Sequence, residues 1–273
     1  MHNKSKTVLV TGAASGIGLA ITNFLVEKGD HLIATDINEK ALQILNSNDS
    51  ITTYKMDVTN TESVATAFEQ ISEKFTAVDG LVNNAGMFIG GPLVELSTED
   101  IEKIISVNVI GVFNVTKAFF PLLYHTKGRI VNIGSETGRI SFPLNGPYSM
   151  TKFALEAFSD SLRRELMFLD MPVVHLQVGA VKTELLARTY ACYAEDIDIE
   201  KSLFGNLLEQ VIRTCEKEKD KGTEPRTIAK VVYKALHKRR PKIRYRVKND
   251  KKRRLLEFLP TSLVDIAMKK VLK

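Results

Sequence analysis

A chain of 273 residues that is 44% hydrophobic has ample length to bury one large core, and its composition excludes a disordered, fibrous or disulfide-built protein. The two cysteines, Cys192 and Cys215, form no CxxC pair, and no His/Cys cluster has zinc-ligand spacing, so no metal site is expected and the thiols read as reduced. The net charge of +6 is local: residues 234–254 contain twelve Lys/Arg and one acid, Asp250, so that segment alone carries +11 and the remainder −5.

The N-terminal residues 1–6 have neither the apolar core nor the cleavage pattern of a secretory signal. No apolar run is expected to reach the ~20 residues that span a bilayer, so the expected location is cytoplasmic. Residues 7–10 read as a first strand. The next stretch, Thr11-Gly12-Ala13-Ala14-Ser15-Gly16-Ile17-Gly18, is a glycine-rich turn into a helix over residues 16–28, with Ile17, Ala20, Ile21, Phe24 and Leu25 on one face. Glycines there permit a tight turn and close approach of the backbone to a pyrophosphate, and the helix N-terminus favours the anion. A second strand over residues 31–35 ends in Asp36, followed by Ile37. A carboxylate at that point can hydrogen-bond the adenosine ribose hydroxyls of NAD and would repel the 2′-phosphate of NADP. A turn aspartate with a local capping role is the alternative.

A helix over 39–45, a short strand over 51–55 ending near Asp57, a helix over 61–75 and a strand over 78–83 continue the alternation into Asn83-Asn84-Ala85-Gly86. One long helix is expected over 101–123. Asn108 lies inside its apolar stretch and is a poor helix-interior residue, because its side chain competes for backbone hydrogen bonds. Alternating strands and helices predict an α/β fold: a single doubly wound (Rossmann) parallel sheet of about seven strands with helices on both faces.

Residues 129–156 carry the candidate chemistry. Ile130-Val131-Asn132-Ile133 reads as a buried strand, Gly134 ends it, and Ser135 stands where it stops. A turn-rich stretch with Pro143, Asn145, Gly146 and Pro147 leads to a helix beginning near Tyr148. Tyr148 and Lys152 are four residues apart, so a helix puts them on one face. A phenol normally titrates near pH ~10, and an adjacent ammonium is expected to lower that value. Such a phenol can take a proton from an alcohol or return one to a carbonyl oxygen, and Ser135 can hydrogen-bond the same oxygen.

A strand over 173–178 follows, then Val178-Gly179-Ala180-Val181-Lys182-Thr183. Residues 185–222 match no sharp motif and carry Leu185, Leu186, Tyr190, Tyr193, Leu203, Phe204, Leu207 and Leu208 among polar residues. A helix is expected over 227–238 and a charged edge strand over 242–247. Residues 255–272 are amphipathic through Leu255, Leu256, Leu259, Leu263, Ile266, Ala267 and Val271. Docking on the chain's own domain is the default, with a second subunit or an anionic membrane surface open.

In this order and at these separations, the glycine turn, Asn83–Gly86, Ser135, Tyr148 and Lys152 resemble the short-chain dehydrogenase/reductase family over about residues 6–183. The strings Phe142-Pro143-Leu144-Asn145 and Ser149-Met150-Thr151-Lys152-Phe153-Ala154-Leu155-Glu156 are most similar to its 17β-hydroxysteroid and retinol dehydrogenase branch. The resemblance implies a catalytic set of Asn108, Ser135, Tyr148 and Lys152, with Asn108 ordering a water that links Lys152 to solvent; a satisfied core asparagine is the alternative. It implies cofactor contacts at Gly12, Ser15, Gly16, Ile17, Gly18, Asp36 and Ile37, and at Asp57 and Val58 on the adenine side, where helix capping by Asp57 competes. Asn84, Ala85 and Gly86 would pass the cofactor, although a structural turn also explains them. Tyr148 and Lys152 would reach the ribose, and Val181 and Thr183 the nicotinamide side, although the family's proline before Gly179 is missing. Position 15 is serine, where NADP-preferring relatives often carry a basic residue, so NAD(H) is the expected cofactor.

The expected activity is interconversion of a secondary alcohol and a ketone on a hydrophobic, steroid-, retinoid- or lipid-like substrate. The expected organisation is a single domain over residues 1–273, with a mobile substrate lid over about 185–222 and a basic amphipathic extension over about 248–273, assembled as a homodimer or homotetramer. A 3-oxoacyl thioester reductase is the nearest rival, weakened by Asp36. A non-catalytic dinucleotide-binding regulator is weakened by the complete four-residue set. Nucleic-acid binding through residues 234–254 is not expected, since Tyr245 is the only interleaved aromatic.

Overall fold

Short β-branched runs become strands, and each hands the chain to a helix. The order is β1 (Thr7–Thr11), α1 (Gly16–Glu27), β2 (His31–Asp36), α2 (Glu39–Leu45), β3 (Ile51–Lys55), α3 (Thr61–Lys74) and β4 (Gly80–Asn83). It continues with α4 (Thr98–Ile105), α5 (Gly111–Thr126), β5 (Arg129–Ser135), α6 (Gly146–Leu166), β6 (Val173–Val178), α7 (Glu184–Glu195), α8 (Gly205–Glu218), α9 (Pro225–His237), β7 (Arg244–Val247), α10 (Lys251–Leu256) and α11 (Thr261–Val271). The computed structural model describes residues 4–195, 197–218 and 222–271; the side chains at positions 190, 217, 218, 251, 252 and 271 lie outside that set.

The seven strands form one parallel sheet in the order β3-β2-β1-β4-β5-β6-β7. The order reverses direction between β1 and β4, and ligands of open parallel sheets bind at the carboxyl ends of the strands beside such a switch. Alternate residues of each strand feed opposite cores. Val8, Val10, Val131, Leu176 and Val247 pack with α1, α2 and α9, and Leu9, Leu81, Ile130 and Val173 pack with α3, α5 and α6. Near the middle of the sheet Asn132 stands opposite both Asn83 and His175.

The helix expected over 101–123 is interrupted. A single π-turn, Ser106–Ile110, separates α4 from α5 and contains Asn108. Its side chain finds partners outside the helix: Oδ1 accepts from Met87 N at 2.8 Å, and Nδ2 donates to Met87 O at 2.9 Å and Thr151 Oγ1 at 3.1 Å. Single π-turns of this kind recur at functional sites. The run Thr98–Thr126 is also long and apolar enough to cross a membrane, contrary to expectation. In the fold Val112, Val115, Phe119 and Leu123 of this run are buried core residues.

The basic segment is less solvated than its sequence implies. On β7, Tyr245 and Val247 are buried, Arg244 lies 2.7 Å from Glu156 and 3.1 Å from Asp160, and Arg246 lies 2.9 Å from Glu257. The C-terminal face is more solvated than expected. Leu255, Phe258, Leu263 and Ile266 are 64%, 72%, 49% and 64% exposed, so the default of docking on the body fails for them. Leu272 and Lys273, and the side chains of Lys251, Lys252 and Val271, lie outside the described residues.

Candidate active site

Gly12 and Gly16 have φ of +61° and +49°, values that favour glycine. Gly18 serves packing instead: a Cβ there would stand 1.9 Å from Gly12 O and 2.6 Å from Asn84 Nδ2, so its absence lets α1 seat against the turn. Ser15 caps α1 in an extended conformation without a side-chain bond, so the first-turn N–H groups have no side-chain partner. Asn84 closes the other side of the turn, its Nδ2 donating to Thr11 O at 2.9 Å and Gly12 O at 3.0 Å. Thr11 Oγ1 accepts from Asn84 N and Ala85 N, both at 3.0 Å.

These elements open onto one cavity of about 250 Å³. Gly12, Ser15, Gly16, Ile17, Asn84, Ala85, Gly86, Ser135, Tyr148, Lys152, Val181 and Thr183 all line it. The residues fit a dinucleotide: a turn of small residues leads into a helix N-terminus that no N-cap side chain bonds at one end, and titratable groups stand at the other. Gly18, Asp36, Ile37, Asp57, Val58 and Asn108 are outside its lining. Asp36 ends β2 and accepts from Ala14 N at 3.0 Å and Asn38 N at 2.9 Å, tying the glycine turn to the strand end. Asp57 Oδ1 accepts from Thr59 N and Oγ1, a local turn role. Asn108 approaches from behind, its Oδ1 3.3 Å from where a Cβ on Gly86 would stand.

At the chemical end, Ser135 Oγ accepts from Thr137 N at 3.2 Å and Thr137 Oγ1 at 3.0 Å, and its hydroxyl bonds toward Tyr148. Lys152 Nζ donates to Ile133 O at 3.2 Å and sits 5.3 Å from the centroid of the Tyr148 ring. Burial pushes the phenol up to about 12 against the opposing bond from Ser135, and burial pulls Lys152 down to about 8. The expected lowering of the phenol by Lys152 is therefore not what this arrangement produces. The ammonium lies over the ring rather than at the oxygen, and desolvation dominates.

An apolar roof covers Tyr148. Phe88 meets the Tyr148 ring at 5.2 Å and the Tyr193 ring at 6.0 Å, and Leu144, Leu185 and Leu208 complete the cluster. The segment expected to be a lid supplies this roof through α7 and α8; the side chain of Tyr190 is outside the described set. Sequence reasoning missed Phe88, Thr137 and Arg253, which line the cavity. Phe88 was findable, two residues past Gly86. Arg253, which pairs with Glu136 at 2.8 Å across 117 positions, was not.

A family model described as short chain dehydrogenase matches residues 6–193. Human retinol dehydrogenase 16 is 38% identical over 192 residues, covering 68% of this chain and 60% of that protein, so the chain spans less than two thirds of such relatives. Human 17-beta-hydroxysteroid dehydrogenase type 6 is 32% identical over 285 residues, covering 97% of this chain and 88% of that protein. Among solved structures, a short-chain dehydrogenase from Streptomyces avermitilis superposes with a TM-score of 0.78 at 25% identity, covering 99% of this chain and 96% of that one. A Burkholderia phymatum short chain dehydrogenase/reductase solved with NAD shares the fold at a TM-score of 0.74 and 24% identity, covering 89% and 90%.

Proposed function

The chain belongs to the short-chain dehydrogenase family, and from that premise we propose that it interconverts a secondary alcohol and a ketone on a hydrophobic substrate with NAD(H). The observation that carries this reading is the convergence of Ser135, Tyr148 and Lys152 beneath an apolar roof, in the cavity that also holds the glycine turn. NAD, when bound, supplies the acceptor for the hydride leaving the carbinol carbon. Tyr148 takes the hydroxyl proton as the carbonyl forms, Ser135 donates a hydrogen bond to the same oxygen, and Lys152 orients the ribose. Asn108 holds the Met87 and Thr151 backbone and hydroxyl groups next to Lys152 and supports the proton path. A dehydrogenase screen over steroids, retinoids, simple secondary alcohols and hydroxyacyl thioesters with both nucleotides tests the reading. NAD-linked oxidation of an apolar alcohol is expected. Turnover confined to NADPH-linked reduction of 3-oxoacyl thioesters would replace it with the acyl reductase.

Asp36 supports NAD over NADP. Its carboxylate stands at the end of β2 beside the glycine turn, where a 2′-phosphate would meet a like charge. A few kcal/mol of repulsion corresponds to discrimination of ~100-fold. Asp36→Asn keeps the side chain's size and one of its two acceptor oxygens and removes the charge, so it is expected to narrow the gap in nucleotide affinity. Tighter binding of NADPH than NADH by the wild type, in a fluorescence titration, would reverse the cofactor assignment.

Two surfaces support contacts beyond the substrate. Ile110 and Phe113 before and on α5, with Met150 and Phe153 on α6, are exposed apolar residues suited to a subunit interface. The second surface is C-terminal. On α10 and the turn after it, Arg253 and Glu257 are one turn apart and face the body, through Glu136 and Arg246. Leu255 and Phe258 face outward, and residues 248–273 carry eight Lys/Arg against three acids. Apolar groups set among cations suit a peripheral contact with an anionic bilayer, whereas a second copy would oppose cation to cation. Co-sedimentation with phosphatidylglycerol-containing vesicles is expected at low salt and lost at high salt, and no binding at low salt would end this reading.

A further inference from the structure

Helix α6 presents one stripe to the sheet. Tyr148, Lys152, Glu156 and Ser159 recur at intervals of four, four and three, so they share a side of the helix. The first two belong to the site. The other two are buried, and both meet His175 in the middle of β6, which is itself only 2% exposed. His175 Nδ1 lies 2.9 Å from Ser159 Oγ, and Nε2 lies 3.1 Å from Glu156 Oε1, an ion-pair distance without hydrogen-bond alignment.

The rest of the cluster extends these contacts across the sheet. Asn132 Nδ2 donates to Ser159 Oγ at 2.9 Å, and Asn83 Nδ2 donates to Asn132 Oδ1 at 2.9 Å. Gln177 Nε2 donates to Glu156 Oε1 at 2.6 Å, and Arg244 Nη2 lies 2.7 Å from Oε2. Burial raises the Glu156 carboxyl, yet His175, Gln177 and Arg244 outweigh it and hold the group at about 2. A serine, a histidine and a glutamate in contact are the residue types of a hydrolytic triad, but all three are buried and none lines the cavity.

Gly134, the residue before Ser135, completes the arrangement. A Cβ on it would stand 2.1 Å from His175 Nε2 and 2.5 Å from Cε1. The imidazole therefore occupies the space that any side chain at position 134 would need.

We propose that His175 is a positioning residue: by engaging Glu156 and Ser159 from the strand, it fixes the rotation of α6 and its spacing from β5, and so sets Tyr148 and Lys152 against Ser135, while Gly134 makes room for it. Apolar side chains slide past one another at small cost. A buried carboxylate held by three partners does not, because moving it leaves an uncompensated charge. Rotating a helix by roughly 10° moves its side-chain tips by about 1 Å, a displacement that can cost a reaction ~100-fold. The inference rests on the alcohol–ketone reading for its kinetic assay.

The test uses the full chain and the variants His175→Ala, His175→Gln, Gly134→Ala and Gly134→Ala/His175→Ala, assayed well below their melting temperatures. Each single alanine variant is expected to lower kcat about tenfold or more with a smaller change in KM, and the double variant is expected to be no worse than the worse single. His175→Gln, which keeps a polar group beside Glu156, should recover part of the loss and guards against His175→Ala failing to fold. The kcat–pH profile should shift to higher pH as Ser135 loses its hold on the phenol. Ultraviolet titration of Tyr148, taken as the difference between each protein and its Tyr148→Phe counterpart, should shift the same way whether or not a substrate is known. Folded variants with wild-type kcat and wild-type phenol titration, differing only in melting temperature, would reduce His175 to a packing residue and overturn the proposal. A wild type without turnover on any alcohol, with the phenol titration shifted in the variants, would count against the enzymatic reading alone.

Discussion

Tyr148→Phe is expected to lower kcat by about 10²–10⁴-fold while leaving nucleotide binding near the wild-type value. The substitution keeps the ring, its contact with Phe88 and its place on α6, and removes only the oxygen. Ser135, the hydroxyl that bonds toward Tyr148, cannot replace it, because an aliphatic hydroxyl is no base at neutral pH. The direction of the pH dependence follows from burial. Desolvation raises the phenol to about 12, so at pH 7 the phenolate is a small fraction that grows about tenfold per pH unit. Alcohol oxidation, which needs the phenolate, should rise with pH, and ketone reduction, which needs the phenol, should stay level until the pH nears the pKa of the phenol. Steady-state kinetics in both directions and a fluorescence titration with NADH check this. A variant that oxidises alcohol at the wild-type rate would remove Tyr148 from the mechanism.

Lys152→Ala is expected to lower oxidation at pH 7 by about tenfold or more, through lost positioning of the nucleotide ribose, and to weaken NADH binding as well. Lys152 is buried and pulled down to about 8, so it is mostly charged at pH 7 and loses its proton as the pH passes that value. The ammonium is held by Ile133 O, over the ring. Removing it deletes a group that loses its proton near pH 8, so any inflection of the wild-type pH–rate profile near that value should vanish in the variant. Lys152→Arg keeps a charge that does not titrate, and is expected to restore part of the rate but not the geometry. An unchanged profile with unchanged nucleotide affinity in Lys152→Ala would exclude the residue from both roles.

The alternation of strand and helix, the parallel sheet and the chemical end of the site were legible in the sequence, because each is written in a short window. A period of two or 3.6 marks an element within ten residues. Gly12 and Gly16 mark their turn by local backbone demands, and Tyr148 and Lys152 face one way because residues four apart lie one above the other on a helix. The tertiary structure decided what depends on which strands become neighbours. It opened a π-turn at Asn108, because Met87 and Thr151 offered partners that the helix could not. It set Lys152 over the Tyr148 ring and buried both, reversing the expected direction of the phenol's shift. It joined Glu136 to Arg253, and Glu156 to His175 and Arg244, across separations that no local pattern encodes. It also left Leu255 and Phe258 in solvent, where an amphipathic pattern alone pointed to self-docking. Periodicity states that a face is apolar, and only the packed neighbours determine what covers it, because burial and electrostatic shifts are properties of the surroundings and not of the residue that shows them.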